Sequence, residues 1–173
     1  MAGSTFGRYL RRSLIAGLEV SVIAALAAIG LLVMLSRFNE MPWYAYGNLF
    51  ATVVYSPATL EADSGYHTLA GFAMVFLYFV SSGLAFAVLF PGQRGGAGPY
   101  LVAVSFALAL FMAGDRIWWQ RLSSYIVIYG IHSHLMWSHV VFGVVLGSVV
   151  RRRARMGSPP IGITPPESVS LVG

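Results

Sequence analysis

Four stretches of this chain stay apolar for as long as a helix needs to cross a membrane: Ser13–Ser36, His67–Pro91, Pro99–Trp119 and Gly130–Val150. A hydrocarbon core of about 30 Å offers no water to the backbone, so a crossing segment must satisfy its own peptide groups, and about twenty helical residues do so. No other feature restricts the fold as much. The expected class is all-α: a polytopic membrane protein with four transmembrane helices and an interfacial outer loop. Residues 1–155 form the transmembrane domain and 156–173 a Pro-rich cytoplasmic tail.

Composition bears on what such a chain can bind. Charged residues are only 10% of the total, against about a quarter in a soluble domain. The net charge of +5 would suggest nucleic acid in a soluble protein. Here the arginines flank the apolar spans, where they orient the chain in the membrane. The expected partners are therefore other membrane protein subunits and lipid, with no nucleic acid. Cysteine is absent, which excludes disulfides and thiolate-ligated clusters.

Orientation follows from the loops. Arg8, Arg11 and Arg12 precede the first span, Arg94 lies between the second and third, and Arg151, Arg152, Arg153 and Arg155 follow the fourth. The other connections balance Arg37, Arg116 and Arg121 with Glu40, Glu61, Asp63 and Asp115. The positive-inside rule then puts both termini in the cytoplasm, in a membrane expected to be the bacterial inner membrane. Arg11-Arg12 ahead of an apolar run resembles a signal peptide, but apolar sequence continues through Ile29–Leu35, so a retained helix is expected. The outer loop Arg37–Tyr66 is too apolar at its centre, Pro42–Tyr55, to be solvated, and is expected to lie in the interface and cap the bundle. Gln120–Tyr129 reads as a short interfacial turn or an extension of the fourth helix. The tail segments Ser158-Pro159-Pro160 and Thr164-Pro165-Pro166 cannot continue a helix.

The candidate cofactor-binding residues are the four histidines, His67, His132, His134 and His139. In the expected topology they gather toward the outer side, with His132 and His139 on one helix face and His67 on a neighbouring helix. A bis-imidazole haem or a chlorophyll-type pigment would need imidazoles at matching depth. In outline, four helices bearing histidines resemble membrane b-type cytochromes, and that resemblance implies a haem. The plainer reading is that amphipathic side chains are tolerated at an interface. His139, set deeper, needs a partner or a function, because an unpaired polar group in the bilayer is costly. Glu19 is the other polar intruder, and snorkelling or pairing with an arginine, Arg11 and Arg12 being nearest in sequence, accounts for it. Asp115-Arg116 before Trp118-Trp119 reads as a charged stop beside an aromatic belt.

Gly143 and Gly147 form a small-xxx-small pattern that admits close helix packing, with Val145 on the opposite face. Gly17, Ala24, Ala28 and Gly30 in the first span, and Gly71, Ser81, Ser82 and Gly83 in the second, suggest the same. Phe72, Phe76, Leu77 and Phe79 are expected to face lipid or partner helices. No nucleophile with a spaced base, no carboxylate pair within a span and no phosphate loop is present. The expected function is therefore a non-catalytic accessory or scaffolding subunit of a multi-subunit membrane complex, such as a bacterial energy-transducing assembly. The alternative is a haem- or pigment-binding electron-transfer protein that uses the outer histidines.

Overall fold

The computed structural model describes residues 3–90 and 96–157, so Arg94 and the proline pairs of the tail lie outside the described residues. The described chain is helical, without a strand among its elements. In order they are α1 (Gly3–Phe38), α2 (Ala45–Ala51), α3 (Tyr66–Leu89), α4 (Gly98–Ala113), α5 (Trp119–Leu122), α6 (Ser124–Tyr129), α7 (His132–Leu146) and α8 (Val149–Gly157). Four continuous helical spans are long and apolar enough to cross a membrane: Leu10–Phe38, Tyr66–Leu89, Gly98–Leu122 and His132–Met156.

The third span is continuous because α4 runs into α5 through one wide turn, Gly114–Trp118, in which the Trp119 N–H reaches back five residues to the Gly114 carbonyl. Trp119 folds its indole over Gly114, where a Cβ would sit 2.8 Å from the indole nitrogen. The fourth span turns from α7 into α8 at Gly147-Ser148. Between the third and fourth spans the helix breaks twice, at the extended residues Ser123 and Gly130, leaving α6 as a separate turn of helix.

In lipid, helices associate through van der Waals packing, and small residues allow the closest approach. The core is organised around α7, which packs on both α1 and α4, while α3 packs along α1 and reaches α7 through Phe79. On α1, Ser13, Ala16, Val20, Ser21, Ala24, Ala28 and Leu32 are all buried, a stripe of mostly small side chains at helical spacing. Opposite them, a Cβ on Gly83 of α3 would fall 2.1 Å from the Ser21 hydroxyl. A second close seam joins α7 to α4. A Cβ on Gly143 would lie 2.7 Å from the Val104 Cα, and one on Gly147 2.6 Å from the Tyr100 ring.

Other residues sit differently from the sequence expectation. Gly30 meets nothing within 4 Å. Ser81 is exposed and bonds back to the carbonyls of Leu77 and Tyr78 in its own helix. Val145 is partly buried against the core, and its neighbour Val144 points outward at 48% exposure. Phe79 is buried at 2% exposure, its ring 4.7 Å from that of Phe142, whereas Leu77 is exposed as expected. The apolar character of α3 is nearly uniform around its axis, so hydropathy could not separate its packed side from its lipid side.

The segment after α1 folds back over the bundle as α2, with Tyr46, Gly47, Asn48, Leu49, Phe50 and Ala51 buried. It rests on α3. The contact is backbone to backbone, since a Cβ on Gly71 would fall 1.9 Å from the Gly47 carbonyl oxygen. Trp43, just before α2, stacks its ring on Phe72 with an interplanar angle of 13°.

Candidate functional site

The polar side chains of the end capped by α2 fasten elements that are distant in sequence. His134, in the first turn of α7, takes Tyr46 of α2 on Nδ1 at 2.8 Å and Asn39, just past α1, on Nε2 at 3.1 Å. The Asn39 amide also donates to the Leu35 carbonyl, so its second N–H donates to Nε2. A neutral ring that accepts at Nε2 must donate from Nδ1, and that proton meets the Tyr46 oxygen. Burial pushes the Tyr46 phenol up to about 12, outweighing a backbone contact at Ile131 that lowers it. The three side chains thus form a neutral network joining α1, α2 and α7.

Further bonds fasten the cap. Asn48 of α2 accepts the Thr68 hydroxyl at 2.5 Å and donates to the Ala62 carbonyl at 2.7 Å, locking α2 to the start of α3. Thr52 donates to the Leu49 carbonyl, which leaves Ser123 to donate to Thr52 at 2.7 Å. Asn39 and Asn48 are the two asparagines of the chain. An amide just past the first span and another inside the apolar outer loop were the available sign of this network, and sequence reasoning passed over them.

The other histidines have different surroundings. His67 bonds the Asp63 carbonyl at 2.9 Å and lies edge-on to Tyr66. His132 meets Asp115 at 2.9 Å with half of its side chain exposed. The wide turn before α5 carries Asp115, so this residue pairs with the next span; it is not the stop that the sequence suggested, because the third span continues through it to Leu122. His139 is buried in a shell of rings, with Phe79 at 5.1 Å, Phe111 at 5.5 Å and Tyr78 at 6.0 Å between centroids. Its Nδ1 donates to the Leu135 carbonyl at 2.8 Å, which leaves Nε2 as an acceptor facing the Tyr78 hydroxyl at 3.4 Å. The Tyr78 hydroxyl also lies 3.5 Å from the Leu110 carbonyl, so both of its contacts are long.

A cavity bounded by His139, Tyr78, Asp115, Ser138, Trp119 and Phe111 holds about 20 Å³, room for roughly one water. Pockets for larger ligands run to about 300–1,000 Å³. A haem or chlorophyll-type macrocycle does not fit there without displacing Phe79, Phe111 and Trp119. The structure gives His67, His132, His134 and His139 separate partners, and among the described residues no three His, Asp or Glu side chains come close enough to share a metal ion.

Glu19, the acidic residue of the first span, pairs with Arg152 of α8 at 2.5 Å. The expected neighbours Arg11 and Arg12 lie on the same helix but are exposed. Pairing across helices was hidden because it joins residues 133 positions apart. No family model, curated protein or solved structure matches the chain.

Proposed function

We propose that this protein is a non-catalytic accessory subunit of a multi-subunit membrane complex, with other integral membrane subunits as its partners. The observation that carries the reading is the use made of the polar side chains. His134, Tyr46, Asn39, Asn48, Thr68, Thr52 and Ser123 each tie one element to another, and the cavity beside His139 has room for about one water. Such an arrangement supplies rigidity, and the space beside the buried His139 is too small for a substrate. The surface offered to neighbours includes α4, which packs chiefly on α7 and leaves Leu101 and Met112 exposed. The arginine-bearing end belongs on the cytoplasmic side of a bacterial inner membrane, on the charge asymmetry of the loops.

An electron carrier with haem or pigment is the second reading. It draws on His139, whose Nδ1–H is held by a carbonyl as the second nitrogen of a metal-ligating imidazole is held. Purification of a tagged copy from its native membrane separates the two. Co-purification of other membrane subunits at fixed stoichiometry, without a Soret band, is the expected result. A protein that runs alone and carries a Soret band abolished by His139→Ala overturns the first reading in favour of the second.

A further inference from the structure

At the opposite end from the α2 cap, α1, α8 and the start of α4 enclose a half-open groove of about 770 Å³. Its walls have two characters. Arg151, Arg152 and Arg155 stand along one side, while Leu18 and Ile23 of α1, at 48% and 60% exposure, continue the groove along the apolar surface. Three guanidinium groups face one carboxylate, that of Glu19.

Two of the arginines are held in place. Glu19 takes Arg152 through Nε, so the terminal nitrogens of that guanidinium keep their donors for a second acceptor. Arg151 lies over the Tyr100 ring, its Cζ 5.4 Å from the centroid. Stacking occupies the face of a guanidinium and leaves its edge donors for a planar or tetrahedral oxyanion. Arg155 follows Arg151 by four residues, which puts it on the same helix face. Basic pockets between membrane helices suit anionic head groups, and the apolar wall suits a chain attached to one. A free phosphate would leave that wall unused.

We propose that this groove binds one anionic glycerophospholipid, its phosphate held by Arg151, Arg152 and Arg155 and an acyl chain laid along Leu18 and Ile23. The test is native mass spectrometry of the full-length protein released from mixed micelles of phosphatidylglycerol and phosphatidylcholine. Wild type retains phosphatidylglycerol in preference. The double variant Arg151→Gln/Arg155→Gln, at two exposed positions, loses that preference by roughly tenfold, each basic contact being worth several-fold. Arg11→Gln/Arg12→Gln, exposed and outside the groove, keeps it. Equal retention of the two lipids overturns the proposal. So does an equal loss in the Arg11/Arg12 variant, which would mean diffuse attraction to positive charge. Displacement of the lipid by millimolar inorganic phosphate would show an anion site with no role for the chain, and would also overturn it.

Discussion

Gly71→Ala is the sharpest perturbation of the α2 cap. The added methyl would lie 1.9 Å from the Gly47 carbonyl oxygen, and ordinary contact begins at 3.4 Å, so α2 and α3 must part by about 1.5 Å. The obstacle is backbone, which cannot rotate aside as a side chain can. A parting of that size breaks the 2.5 Å bond between Thr68 and Asn48, and an unsatisfied buried polar group costs about 1–3 kcal/mol. Overpacking adds about 1–3 kcal/mol, while alanine returns about 1 kcal/mol of helix propensity. The net loss is about 3 kcal/mol, or roughly 6–12 °C in melting temperature for a chain of this size. Thermal unfolding in detergent measures it, with proteolysis of the exposed residues after α2 as a local readout of cap release. Gly30→Ala is the matched control, because a Cβ there meets nothing within 4 Å, and it should be neutral or slightly stabilising. A Gly71→Ala protein as stable as wild type, or the same sign for both variants, would refute the reasoning.

The Tyr46 phenol, pushed up to about 12 by burial, favours the folded state below its ordinary value of about 10, and that advantage disappears as pH rises from 10 to 12. Tyr46→Phe should therefore lose less stability over this interval than wild type, and parallel pH curves would count against the buried network. Gly143→Leu drives a side chain toward the Val104 backbone and should destabilise the bundle by about 1–3 kcal/mol; Val144→Leu on the exposed side should leave the detergent melting curve unchanged. Single cysteines at Gly7 and Glu61, both exposed, should label from opposite faces of the membrane, Gly7 from the cytoplasm. Labelling of both from one face would contradict the topology.

The four spans could be read from the chain because crossing a bilayer imposes a length and a polarity on contiguous residues, and both are local properties. The observed helix limits differ from the sequence reading most at the first span, where α1 begins at Gly3, and at the fourth, where arginine-rich α8 prolongs the helix to Gly157. The α2 cap was legible for a similar reason: a run of aromatics between two spans has nowhere to go but onto the bundle. Partnerships were not legible. His134 finds Asn39 and Tyr46 at separations of 95 and 88 residues, and nothing in the chain marks those pairs. Phe79 was misplaced because an almost wholly apolar helix has no polar side to mark which way it faces. Depth alone suggested that the histidines gather, but helix rotation gives each its own neighbours.

The wide turn at Gly114–Trp118 has a consequence for descent. It accommodates one residue more than a regular helix would, and each residue turns a helix by about 100°. Removing a single residue there would restore a plain helix and leave everything after the turn in nearly the same register around the axis, because the wide turn already absorbs that residue's rotation. Only the turn itself would be re-aimed: Trp119 would follow Gly114 by four residues instead of five and lose its seat over it, and Asp115, inside the turn, would lose its alignment with His132. Wide turns of this kind concentrate at positions under functional selection. Chains of common origin should therefore keep Gly114, Asp115, Trp119 and His132 together or lose them together, and a one-residue gap at this point of an alignment would mark the branch where they were lost.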